Sequence, residues 1–220
     1  MVKQANIVDN QTESRRDRRK EETRTQIFQA AMRLFERKGV FNTTVEEITA
    51  SADVAKGTFF NYFPSKEAIL TKLADRQVGV IKKAAEEAKD APSMRPILIS
   101  MAHDLAAGPA RSQMMLRSLL SVVLSANLLR EIFAKNLELG RQSMATIMAR
   151  GQKLGEIRMD LEPVELARIF QHAMFGTLAI WGVGGPSDLS AWLDKTFDVV
   201  WCGIAAQSGP RSTLSGKENL

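Results

Sequence analysis

Apolar residues recur at three- and four-residue steps along most of this chain. Ile27, Ala30, Ala31, Leu34 and Phe35 lie at i, i+3, i+4, i+7 and i+8, which puts them on one face of a helix. Thr23 with Gln26 fits a capping box at its start, and Gly39 fits a C-terminal stop. A short helix is expected from Thr44. Thr44-Val-Glu-Glu47 is a capping box, with both acids in the first turn where the helix dipole favours them. Val45, Ile48 and Ala52 give that helix its inner side. Residues 51–55 read as a turn around Asp53, and a second short helix over 56–62 carries Phe59 inward. Pro64 stops it. Ser65 caps the next helix, in which Ile69, Leu73 and Ile81 mark one apolar side.

Pro92 and Gly108-Pro109 punctuate the chain further on. Residues 111–125 read as helical, and a long helix from about Asn127 ends near Gly151 or Gly155. Pro163 suits the first position of the following helix, which is apolar nearly all round to residue 182. A glycine-rich loop then leads to a last helix with Leu189, Trp192, Leu193, Thr196, Phe197, Val200, Trp201 and Ile204 at helical spacing. No strand pattern and no internal repeat interrupts this series. The fold class is all-α, with about nine helices.

Composition narrows the class. Of 220 residues, 45% are hydrophobic and 25% charged, as in ordinary globular chains, which excludes wholesale disorder and fibrous repeats. No run reaches the roughly 18 unbroken apolar residues of a membrane span, so no membrane partner is expected. The first ten residues carry no secretory signal, and a cytoplasmic location follows as the default. The single Cys202 allows no intramolecular disulfide and reads as a packed core thiol.

Signatures of catalysis are missing. Gly209 to Gly216-Lys217-Glu218 fails the P-loop in spacing and in its last residue, and no G-x-S-x-G occurs. His103, His172 and Cys202 are too scattered for a metal site. No enzyme activity, metal or cofactor is expected. The net charge of +5 permits a nucleic-acid partner without requiring one. Any footprint on DNA must come from local clustering, such as the five basic residues among 15–20.

Residues 44–63 form a helix, a turn and a second helix, braced by the helix at 24–38. A helix-turn-helix needs this arrangement, with one helix across the DNA backbone and the next in the major groove. A generic three-helix pack has similar spacing, so the residues themselves matter. Ala30-Ala31, Leu34-Phe35, Gly39, Thr43-Thr-Val-Glu-Glu-Ile48, Ala52, Val54, Lys56-Gly-Thr58, Asn61-Tyr-Phe63 and Ser65-Lys-Glu-Ala68 resemble the TetR-type repressors across 27–70. The rest of the chain is similar to that family in style only. The resemblance implies a homodimer that binds a palindromic duplex operator as a repressor and is released by a small-molecule effector.

Four parts are expected: from their polarity, a flexible basic arm over 1–20 and a disordered tail over 207–220, and from the resemblance, a DNA-binding domain over 21–81 and an effector-binding and dimerisation body over 82–206. Thr44, Lys56, Gly57, Thr58, Phe60, Asn61, Tyr62 and Lys66 are the candidate DNA contacts. Gly57 leaves room for backbone to approach DNA. Thr58 offers a hydroxyl and a methyl, and Asn61 suits a base edge, adenine best. Tyr62 reaches phosphate with its hydroxyl, Lys66 brings a charge to the next helix start, and Thr44 marks a helix N-terminus that suits phosphate. Three positions depart from the family pattern. Ala55 replaces a capping Ser, Asp53 replaces a turn Gly, and Phe60 replaces a Tyr, removing a hydroxyl contact. Asn61 stands where His is common, which implies an altered operator preference. The arm either tracks phosphate or minor groove, or is a solvated charge run.

In the body, Phe170, Met174, Trp181, Trp192, Phe197, Val200 and Trp201 are the candidate dimer interface, since a helix apolar on every side must be covered on every side. A central helix buried within the monomer is the alternative. Met101, His103, Leu105, Met114, Met115, Leu119, Met148, His172, Met174 and Phe175 are candidate lining of an effector cavity. So few charges interrupt this set that an apolar effector is favoured. Two other functions stay open: a DNA-binding regulator governed by a protein partner, and an all-helical enzyme or carrier.

Overall fold

The computed structural model describes residues 2–125, 127–185 and 187–206, with side chains from Arg15 onward, that of Leu128 excepted. Its regular structure is helical: α1 Val2–Lys38, α2 Val45–Ser51, α3 Lys56–Tyr62, α4 Ile69–Glu87, α5 Arg95–Ala107, α6 Gln113–Ser125, α7 Asn127–Lys153, α8 Pro163–Gly184 and α9 Leu189–Ile204. A single 3-10 turn, Pro109–Arg111, separates α5 from α6. Ile157 and Ala205 form an isolated antiparallel bridge that ties the α7–α8 connection to the end of α9. The all-α expectation holds. The tail over 207–220 lies outside the described residues.

Local chemistry sets the helix ends. Gly39 closes α1 in the left-handed region at φ +79°, and its N–H donates to the Phe35 carbonyl at 2.9 Å. At α2 the Thr44 hydroxyl accepts the Glu47 N–H at 3.2 Å, while the Glu47 carboxylate accepts the Thr44 N–H at 2.8 Å. Pro163 opens α8, where Glu162 and Glu165 make the same reciprocal bonds.

Two expected caps differ. Thr23 starts no helix. Its hydroxyl donates to the Arg19 carbonyl at 2.9 Å within α1, which runs unbroken from Val2. No glycine or proline interrupts residues 2–22, and Arg18 pairs with Glu22 one turn on at 3.4 Å. The basic run 15–20 is therefore an exposed helical surface. Ser65 accepts the Ala68 N–H at 3.3 Å in the turn before α4, which itself begins at Ile69.

Two apolar cores follow. Ile27, Phe35, Ile48, Phe59, Phe63 and Leu73 build the first, which Met115 and Val122 of α6 enter from the other side. Leu98, Ile147, Leu166, Phe170, Leu193 and Phe197 are among those building the second. Fully burying each such side chain contributes roughly 1.5–3 kcal/mol. α4 belongs to both: Ile69, Leu70 and Leu73 pack in the first core, Ile81 and Ala84 in the second. The expected division near residue 81 thus falls inside a shared helix. α4 and α7 run parallel along one seam. Asp75 meets Asn136 at 3.5 Å, and a Cβ on Gly140 would sit 2.7 Å from Ile81 Cδ1, so the two helices approach closely there.

Candidate nucleic-acid interface and internal cavity

The turn from α2 to α3 is made by Asp53, left-handed at φ +50°, and by the Val54 N–H, which donates to the Thr49 carbonyl at 3.1 Å. Ala55 gives α3 no side-chain cap, so helix entry depends on packing. Phe59 supplies that packing. It is fully buried and meets the Phe63 ring at 6.0 Å and the Phe60 ring edge-on at 5.3 Å. With Phe59 and Phe63 held inward, Lys56, Gly57, Phe60 and Asn61 share the exposed side of α3, while Thr58 and Tyr62 flank it half-buried. No heavy atom lies within 4 Å of where a Gly57 Cβ would stand, so this face is open.

The charges beside this face are engaged. Lys56 Nζ lies 2.5 Å from Glu46 Oε1, and that contact holds the Glu46 carboxyl below its usual range. Lys38 pairs with Glu47. Its ammonium, followed by the Thr44 N–H, pulls the Glu47 carboxyl down to about 2. Lys66, expected as a charge for phosphate, is instead half-buried. It donates to the Thr43 and Phe41 carbonyls at 2.7 and 3.2 Å. An ammonium with two nearby carbonyls braces the loop between α1 and α2. Thr44 spends its own N–H and hydroxyl inside its capping box. Phe41, 59% exposed in that loop, was not anticipated; an aromatic among polar loop residues was its only signal.

The body holds a cavity of about 160 Å³ between α4, α5, α6, α7 and α8. Of the expected lining, Leu105, Leu119, Met174 and Phe175 face it. The other six do not. Met101, Met115 and Met148 are close-packed core residues, Met114 is exposed, and His172 is exposed. His103 pairs with Asp194 at 2.7 Å. Unanticipated walls come from α4, with Leu70, Val78 and Ile81, and from α7, with Ile132, Phe133 and Leu137. The three- and four-residue spacing on α7 was the available signal.

Several expected interface residues belong to the monomer. Phe170 and Phe197 are buried against each other edge-on at 6.1 Å, and Met174 is buried beside the cavity. Trp201 stacks on Phe197 half-buried, and Trp181 and Val200 are also half-buried. Trp192 stays exposed. With it, Ile169, Ile180 and Val183 of α8 and Val199 of α9 form outward apolar faces. Cys202 is exposed as well, not a core thiol. Among the described residues no helix is long and apolar enough to cross a membrane, and no cluster of potential metal ligands occurs.

A buried-aromatic scaffold presenting an open α3 face defines a helix-turn-helix protein, here set on a helical body with a cavity. Residues 27–73 match the family described as bacterial regulatory proteins, tetR family. YuxN of Bacillus subtilis, an HTH-type transcriptional regulator, is 45% identical over 47 residues, which are 21% of this chain and 16% of that protein. The match thus spans about a sixth of the relative's length. FadR of Bacillus subtilis, solved in complex with stearoyl-CoA, is 25% identical with a TM-score of 0.67, over 82% of this chain and 98% of that one. FadR of Thermus thermophilus, a TetR-family repressor solved with lauroyl-CoA, is 27% identical with a TM-score of 0.61, over 86% and 98%. Over residues 27–73 the chain is thus similar to the tetR family of bacterial regulatory proteins, and over most of its length to solved regulators of that fold.

Proposed function

We propose that the chain is a homodimeric transcriptional repressor, acting in the cytoplasm, that binds a palindromic operator through α3 and is released by a small apolar effector. The observation that carries this reading is the double membership of α4. Leu70 and Leu73 pack in the DNA-binding core and also line the cavity. An occupant that displaces these side chains disturbs a core they share with Phe59 of α3. Such coupling requires different affinity for the two arrangements, which a cavity wall shared with the reading domain provides. The two FadR proteins hold acyl-CoA molecules in their structures, which supports an apolar ligand site in a body of this fold. The helical basic run 15–20 adds exposed charge that can follow phosphate.

The test is selection of bound fragments from genomic DNA with the full chain. A two-fold-related sequence with half-sites one DNA turn apart supports the reading. Recovery of no preferred sequence overturns it.

A further inference from the structure

The inference concerns Phe41 and rests on reading α3 as the helix that contacts DNA. Among the described residues before α6, Phe41 and Phe60 are the large apolar side chains left exposed. Phe60 belongs to the open side of α3. Phe41 stands on the loop between α1 and α2. Exposure by itself assigns nothing, since single surface apolar residues are ordinary. What sets Phe41 apart is the loop that carries it.

That loop is tied on both sides of the ring. Val40 and Thr43 are fully buried. The Thr43 hydroxyl donates to the Gly39 carbonyl at 2.8 Å, and its N–H to the Val40 carbonyl at 3.3 Å. The Asn42 amide donates to the Lys38 carbonyl at 3.1 Å. Lys66 holds the carbonyls of Phe41 and Thr43. The exposed ring is therefore carried on backbone that is already ordered, and a partner that covers it pays little further loop-ordering entropy. The nearby Glu47 carboxylate is matched by Lys38, so it sets no free negative charge against a polyanion.

Two connections fix where the ring stands. Thr44, three residues on, is the N-cap of α2, and α2 is the helix that crosses the DNA backbone when the following one enters the major groove. Lys66, which binds the Phe41 carbonyl, follows the α3 C-cap Phe63 by three residues. Phe41 is thus joined to the start of α2 and to the end of α3.

We propose that Phe41 packs its ring against the deoxyribose of the DNA strand that α2 crosses, outside the base edges that α3 reads. The sugar carbons are the apolar part of that strand and are the same beneath every base, so the contact adds affinity without selectivity. It neutralises no phosphate and releases no counterion, which separates it from a lysine or arginine contact.

The full-length protein, Phe41→Ala and Phe41→Tyr are titrated at several salt concentrations against the duplex selected from genomic DNA and a scrambled duplex of the same composition. Phe41→Ala weakens both by roughly three- to tenfold, the loss of a partly covered aromatic side chain, and keeps the parent's salt slope and thermal midpoint. Phe41→Tyr, which retains the ring, binds as the parent does. Undiminished binding by Phe41→Ala overturns the proposal, as does a loss confined to the selected duplex or a salt slope reduced by about one unit. Should Phe41→Ala not fold, p-benzoylphenylalanine at position 41, whose excited ketone inserts into C–H bonds, decides instead. It crosslinks to one strand position whichever base stands there; crosslinking to a second copy of the chain alone, or none at all, overturns the proposal. Asn61→Ala is measured alongside. If it relaxes selectivity while Phe41→Ala changes nothing, Phe41 is removed from the interface and the reading of α3 stands. A parent protein that binds neither duplex overturns both.

Discussion

Glu46 of α2 holds the ammonium of Lys56, the first residue of α3, at 2.5 Å across the turn. Both side chains are more than half exposed, so the pair adds little to stability. Its effect falls on DNA binding. A lysine that neutralises a phosphate must share its charge with Glu46 or leave it. Glu46→Gln removes that competition, so binding tightens on all sequences alike. Lys56→Ala weakens binding on all sequences and flattens the salt dependence by about one unit, as loss of one phosphate contact should. Titrations at several salt concentrations check both outcomes. A Glu46→Gln protein with unchanged or weaker affinity counts against Lys56 as a phosphate contact.

Lys66 behaves differently because its ammonium is already committed to the Thr43 and Phe41 carbonyls. Lys66→Met leaves both carbonyls without their charged donor in a half-buried site. A loss of about 1–3 kcal/mol in unfolding free energy is expected, read by denaturant melting. The salt slope of DNA binding stays that of the parent. A slope reduced by one unit with stability unchanged would return Lys66 to the phosphate contacts.

These two lysines show where sequence reading succeeds and stops. The Thr44–Glu47 box, the Gly39 stop and the Asp53 turn are decided within four residues by local chemistry, and all three were legible. Lys66 reaches carbonyls 23 and 25 residues away, and Lys56 meets an acid on another helix. Neither contact leaves a periodic trace. The cavity was misread for a related reason. Residue type alone singles out Met101, Met115 and Met148, yet flexible thioethers fill core gaps equally well. The cavity takes walls from α4 and α7, whose facing residues are some sixty positions apart. Burial on α8 and α9 divided along the same line: helical spacing identified apolar residues but not which of their faces the monomer already covers.

Sequence discrimination should reside in Asn61 and Phe60, both exposed on the open side of α3. Asn61 has an amide that can pair with a base edge, and Phe60 has a ring suited to a thymine methyl. Asn61→Ala should cost about 1–3 kcal/mol on the preferred operator and relax selectivity at one position per half-site. Phe60→Ala should relax a different position. Competition between matched and single-base-changed duplexes separates the two. Equal losses on every duplex would assign both residues to packing.

Acid should loosen α2 before the buried cores respond. The Glu47 carboxyl is pulled to about 2 by Lys38 and the Thr44 N–H, from an ordinary value of 4.5. A depressed carboxyl stabilises the fold fully above its unfolded value and loses that contribution as pH falls toward its folded one. The window is therefore about pH 4.5 down to about 2. Protection of the α2 amides relative to their intrinsic exchange rates should fall across it, and Glu47→Gln should remove that pH dependence while leaving a weaker cap at neutral pH. Protection in α2 that stays constant over this range would show that the box does not hold the helix.

The dimer face is the remaining test. Ile180, Val183 and Val199 are 67%, 71% and 75% exposed, and Ile169 continues the α8 row at helical spacing. Buried Phe170 and Phe197 lie on the inner sides of the same two helices, so the outward rows are not needed for the monomer's core. Pairing α8 and α9 with their two-fold copies would cover them. Val199→Glu together with Ile180→Glu places like charges across such an axis, where each meets its own copy without a counterion. The double variant should sediment as a folded monomer with an unchanged helical signal and bind a single half-site only weakly. Two controls follow from the same geometry. Phe197→Glu should unfold the body instead of merely separating subunits, because that ring packs inside it. Arg158, bound to Asp160 and to the Gly203 carbonyl at 3.0 Å, lies outside this row of residues, and Arg158→Lys should leave the dimer intact. A double variant that remains dimeric would move the interface off these helices.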